Sequence, residues 1–381
     1  MMVALVAGGL LMASMVALSS TVQRTFGYSK DIAELQGNLR FAMKILTDDI
    51  GRAALMGSAN PGNDCRLADP VAGMPAVAFD GQTLDLRGNY VSARDYRWKP
   101  FEERIFCRND VDPLDTDLND GIEASVRTGL DGAEAAALDP ACGNYERYLK
   151  PYADGPDHLD AFCPNQMVRL EYTSGRYIYR PVTSVGAGFG LSLGVNLNRN
   201  VVMGESRWIN PVTLVRYRFL EDPVYLPLVA TPTPAARRWV LQRQAEVCNT
   251  GVLVFDQPVD VADFLLPFDP AGTSGLELEA IHDANAAMCA PQLMAANLSA
   301  PTRVVAAGSI DPVQLRAFRV TLRGRTVTED PRFVLPGLSV DADLWMNYGV
   351  DLDHSVDNGA AYVRTERTLI NLRNLPLVVR P

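Results

Sequence analysis

Apolar and polar positions change rhythm along this chain. Residues 1–22, MMVALVAGGLLMASMVALSSTV, carry no charge. At about 1.5 Å per residue such a helix would reach roughly 33 Å, the depth of a bilayer's hydrocarbon core. Residues 1–22 are therefore expected to be transmembrane. Ala, Gly and Ser are frequent in the run, and Gly8 adjoins Gly9. Small residues let helices approach closely, so Leu5, Gly8, Gly9, Met12, Ala13 and Val16 are candidate positions for packing against other helices. A cleaved signal peptide is the rival reading, but no basic segment precedes the run, and the run exceeds a typical signal core. After Gln23 and Arg24 the pattern becomes amphipathic. Apolar residues recur at Ile32, Leu35, Leu39, Met43, Leu46 and Ile50, in steps of three and four, with Lys30, Asp31, Glu34, Arg40, Lys44, Asp48, Asp49 and Arg52 between them. Gly57, Ser58, Asn60, Pro61 and Gly62 then form a stop signal. One long helix over 1–56 is expected, 1–22 in lipid and 23–56 lying on a domain, with Leu35, Leu39 and Leu46 added to the packing candidates. Periodicity also allows a plain anchor followed by a coiled coil.

Beyond residue 57 the period drops to two, the mark of strands. Val215, Tyr217 and Phe219 alternate with Arg216 and Arg218; Phe318, Val320 and Leu322 alternate with Arg319, Thr321 and Arg323. Residues 168–181 read as a hairpin turning at Ser174 and Gly175, and residues 83–88 as a short strand. Residues 237–246 fit a strand or a short helix equally. The expected class is α+β: a long N-terminal helix packed on an antiparallel, β-rich domain spanning 57–381. A part from about 300 to 381 would form its second subdomain if the domain divides.

Composition narrows the function classes. The 381 residues hold 48% apolar and 21% charged side chains, ordinary for a folded chain. The net charge of −10 gives no electrostatic footprint for nucleic acid, so no such contact is expected. Cys65, Cys107, Cys142, Cys163, Cys248 and Cys289 lie far apart with no C-x-x-C pair, which argues against a zinc site. An even, dispersed set fits disulfides in an oxidising compartment, with about 15 possible pairings; buried free thiols are the alternative. His158, His282 and His354 have no partner at metal spacing, and no nucleophile elbow, phosphate loop or dinucleotide fingerprint occurs. The glycines of residues 186–194 lack the setting of a phosphate loop and read as a loop or a Gly-containing strand. Asp115, Asp117 and Asn119, within the acidic stretch 109–123, are spaced like the start of a calcium loop. Gly121 comes one place late, however, and Val126 stands where the bidentate glutamate belongs. A solvated loop is the default there, so neither metal nor cofactor is expected, and no enzyme activity.

An apolar run passing straight into an amphipathic helix resembles type IV pilins and the pseudopilins of type II secretion. Residues 35–57, LQGNLRFAMKILTDDIGRAALMG, are similar to a stretch of the PilW group of minor pilins. The matching positions are Leu35, Gln36, Arg40, Phe41, Ala42, Leu46, Asp49, Ile50, Ala53 and Gly57, with Cys65 following. Residues 315–323 (LRAFRVTLR) and 368–374 (TLINLRN) resemble the group's C-terminal strands, in the same order. The resemblance implies a non-enzymatic subunit that helps to start type IV pilus assembly near the tip. It would be held in the inner membrane by one helix, with a periplasmic domain. Its implied partners are other minor and major pilins and a tip adhesin. Family members open with a basic leader and an F-[ST]-L-I-E segment, so the resemblance implies that Met1 directly follows that glutamate. A J-type pseudopilin, and a membrane-anchored periplasmic enzyme or binding protein, remain the alternatives.

Overall fold

The computed structural model describes residues 2–56, 76–91, 96–98, 104–107, 145–149, 151–152, 161–172, 177–186, 190–195, 206–224, 237–268, 275–282, 302–303, 315–329, 349–350 and 360–371. A single helix, α1 (Met2–Met56), opens the chain and runs 55 residues. Strands follow in the order β1 (Val77–Phe79), β2 (Thr83–Gly88), β3 (Tyr96–Trp98), β4 (Arg104–Cys107), β5 (Tyr145–Leu149), β6 (Pro151–Tyr152), β7 (Met167–Tyr172), β8 (Tyr177–Gly186) and β9 (Gly190–Val195). Next come β10 (Ser206–Glu221), β11 (Trp239–Asn249), β12 (Val252–Phe255), β13 (Val259–Leu265) and β14 (Leu276–His282). The last four are β15 (Thr302–Arg303), β16 (Leu315–Arg325), β17 (Gly349–Val350) and β18 (Ala361–Asn371). The α+β class read from the sequence is what the fold shows, a long helix on a large antiparallel sheet.

Alternation turns into sheet structure where the sequence reading places it. In β2, Leu84, Leu86 and Gly88 are buried while Thr83, Asp85 and Arg87 are half-covered. In β10, Val215, Tyr217 and Phe219 face the core. Residues 237–246, which fit either element by pattern, belong to β11, and the glycine-rich segment is partly the strand β9. The hairpin read over 168–181 is β7 and β8 in antiparallel register, Val168 opposite Arg180; its turn at Ser174 and Gly175 lies outside the described residues.

The sheet facing α1 runs β1, β2, β10, β11, β13, β16 and β18. β16 meets β13 only at Gly324 opposite Leu265 and pairs with β14 further along that edge. The strands beyond residue 300 therefore join the same sheet as β2 and β10. Sixteen-residue β10 serves two sets of neighbours. Its first half lies between β7 and β3, and its second half between β11 and β2. The partner on one edge changes between Val212, opposite Met167, and Val215, opposite Ala245. At this fork the amide of Leu214 donates to Glu246 Oε2 at 2.8 Å, so a side chain supplies the bond that the parting strands do not. A disulfide between Cys163 and Cys248, with Cα atoms 5.6 Å apart, ties the two arms together beside the fork.

The core lies between α1 and this sheet. Leu35, Leu39, Ala42, Met43, Leu46, Ile50 and Ala53 form the helix's buried stripe and meet Leu84, Leu86, Tyr217, Leu241, Phe318, Val320 and Leu322. Covering the five larger stripe residues contributes roughly 10 kcal/mol of gross burial energy. Two glycines let the helix come close. A Cβ on Gly88 would lie 2.8 Å from the Arg52 carbonyl oxygen, and one on Gly324 would lie 2.8 Å from Leu35 Cδ1. Residues 35–53 of α1 are thus part of the globular unit itself.

Candidate functional site

The feature of α1 that the core does not use is its N-terminal half. Side chains are described from Ala7 onward, and every one from Ala7 to Gly27 is exposed. Leu10, Leu11, Met12, Met15, Val16, Leu18 and Val22 are between 46% and 75% exposed, and Phe26 is 74% exposed. Bare apolar surface on this scale marks a surface meant to be covered by protein or lipid. The hydroxyls on this half bond inward. Ser14 Oγ donates to the Leu11 carbonyl, Ser20 Oγ and Thr21 Oγ1 to Ala17, and Thr25 Oγ1 to Thr21, all at 2.8–2.9 Å. A hydroxyl satisfied within its own helix costs little when water is removed.

Of the nine packing positions read from the sequence, the structure divides eight between two roles. Gly8, Gly9, Met12, Ala13 and Val16 lie on the exposed half, with open space around both glycines. Leu35, Leu39 and Leu46 are at most 5% exposed and pack on the chain's own sheet. The side chain of Leu5 lies outside the described residues. Among the described residues no helix is long and apolar enough to cross a membrane. Of the six cysteines, Cys163 and Cys248 are paired; Cys65, Cys142 and Cys289 lie outside the described residues, and only the backbone of Cys107 is described. The acidic stretch 109–123 also lies outside them, as do His158 and His354. Among the described residues no group of three or more His, Cys, Asp or Glu side chains is placed to hold a metal.

The seat that aims the exposed half contains a polar cluster missed by the sequence reading. Asp49 is 6% exposed within the buried stripe. Its Oδ2 accepts from the Tyr217 hydroxyl at 2.5 Å and from Arg243 Nε at 2.7 Å, and Oδ1 accepts from Arg243 Nη2 at 3.4 Å. The Tyr90 hydroxyl donates to the Asp49 backbone carbonyl at 2.7 Å. Burial, and then the Asp49 charge, push both phenols above their ordinary value, while Arg243 pulls back part of the way. Burial alone would lower the Arg243 guanidinium; its hydrogen bonds and attraction to Asp49 outweigh that and raise it. The signal available was that Asp49, three residues after Leu46 and four before Ala53, shares their face. Further bonds pin the docked helix at its start, from Thr328 Oγ1 to Asp31 Oδ2 at 2.6 Å and from Asn38 Nδ2 to the Asp263 carbonyl at 3.0 Å.

No family model, curated protein or solved structure matches this chain.

Proposed function

We propose that this chain is a minor type IV pilin of the PilW kind, a structural subunit that takes part in starting pilus assembly near the fibre tip. The observation that carries the reading is one unbroken helix of 55 residues with two environments. Its second half is sealed onto a sheet, and its first half presents bare apolar side chains. In this reading residues 1–22, uncharged when the first six are included, anchor the subunit in the inner membrane with the β domain in the periplasm. The same surface then leaves lipid for the helices of neighbouring minor and major pilins. Burial of about eight large apolar side chains supplies on the order of 10 kcal/mol of gross driving force on either side of that exchange. Inward-bonded Ser and Thr hydroxyls and adjacent glycines suit both surroundings. The resemblance of residues 35–57, 315–323 and 368–374 to the PilW group supplies the specific assignment.

Deleting the gene in the source cell is expected to remove most surface pili, counted by electron microscopy, with recovery on expression of the full chain. A chain carrying Leu11→Asp and Val16→Asp, present at the same level by immunoblot, should not restore them. Normal piliation in the deletion strain would overturn the assignment.

A further inference from the structure

The stripe that docks α1 repeats at the helical period, and such a stripe is ambiguous about axial position. Sliding the helix by four residues would bring Leu39, Met43, Leu46 and Ile50 into the places of Leu35, Leu39, Ala42 and Leu46, apolar for apolar, with Thr47 in the place of Met43 and Leu46 larger than the Ala42 it replaces. Nor do both glycine contacts oppose the slide, because the nearest helix atoms at Gly88 are backbone atoms of Arg52 and Ala53, which every residue possesses. Asp49 is the one buried charged side chain among the described residues of α1. In a chain slipped by one turn, Ala53 would stand opposite Arg243 and Tyr217, and Asp49 would lose both partners. The bonds of Asp31 and Asn38 would break as well, but one is exposed and the other only part-buried, so water replaces much of what they lose. Arg243, half-buried, and the fully buried Tyr217 hydroxyl would then face an apolar side chain, so the polar group selects against the slipped state more sharply than the apolar stripe does.

We propose that the Asp49–Arg243 ion pair, together with the Tyr217 hydroxyl, is the key that fixes the axial register of α1 on the sheet. The key therefore sets how far the exposed half of the helix projects from the domain. The inference concerns the folded chain and stands apart from the pilin reading. Tyr90, bonded to a backbone carbonyl rather than to the carboxylate, holds the helix down without specifying which residue sits there.

The test is a distance along the helix axis. Lys44 is exposed, and Val327, which is 46% exposed, neighbours the Thr328 that bonds Asp31. The two sites are separated along the axis by thirteen helical residues, roughly 20 Å. Spin labels placed there on encoded non-natural residues leave the native cysteines untouched, and the full chain is measured in detergent by pulsed electron paramagnetic resonance. The wild-type chain should give one narrow distance. An apolar variant with Asp49→Leu, Arg243→Leu and Tyr217→Phe should add a second population displaced by about 5 Å, one turn. The isosteric Asp49→Asn variant is read in the same way if the triple variant does not fold by circular dichroism. A single unshifted distance in a folded variant of either kind would show that the register is set elsewhere.

Discussion

Asp49 illustrates how one buried charge changes the energetics of a docking surface. Removing the carboxylate leaves the buried Tyr217 hydroxyl and the half-buried Arg243 without their acceptor, so Asp49→Ala should cost about 2–3 kcal/mol in urea unfolding, comparable with truncating a core leucine such as Leu46. The tyrosines beside it give a pH signature. Both phenols are raised in the folded chain, so they stay protonated where the unfolded chain ionises. Their contribution is fully present below the ordinary phenol value of about 10 and is lost as pH rises above it. Stability should fall steeply beyond that point, with less slope in Tyr217→Phe, as read from urea midpoints in alkaline buffers. The two close-approach glycines should also differ. Gly88→Ala drives a Cβ into backbone atoms of Arg52, whereas Gly324→Ala meets the movable ends of Leu35 and Leu39. The first should cost about 1–3 kcal/mol and the second clearly less, measured by the same unfolding midpoints. Sequence pattern exposed the apolar members of this site and hid its polar ones. Leu35, Leu39 and Leu46 follow from period alone, and period also puts Asp49 on their face, but nothing local points to Arg243, its partner 194 residues away.

At the scale of elements, the long helix and the central strands were legible because each carries its period within a single stretch. β10 was not, in full. The alternation read over Val215, Tyr217 and Phe219 lies in the half of the strand that joins the α1 sheet; the other half serves β7 and β3, and there the consecutive residues 209–212 are all buried. A strand with covered faces on both sides loses its alternation, and pattern then gives no register. Pairing of Cys163 with Cys248 was equally hidden, since 85 residues separate them and the fork of β10 brings β11, which holds Cys248, beside the segment that leads into β7. The bond should matter to that fork. Replacing both cysteines with serine is expected to lower stability by about 2–4 kcal/mol. It should also speed hydrogen exchange at Leu214 and along β12, while the α1 stripe stays protected, as read by mass spectrometry. Equal loss of protection everywhere would mean that the disulfide steadies the molecule generally and not this junction.

For the molecule as a whole, the contacts that matter most join its two ends. Asp31 bonds Thr328 across 297 residues, and Leu35 packs against β16 at Gly324. The stripe on α1 is made first and its last covering strand, β18, is made about 300 residues later. At a ribosomal pace of roughly 5–20 residues per second, that face waits on the order of tens of seconds for its cover. During that interval the growing chain displays an apolar helix with no partner of its own, over its docking face as well as its outer half. Newly made chains of this protein are therefore expected to need early cover, from a holdase, a translocation machine or a membrane, over the whole length of α1 and not merely its tip.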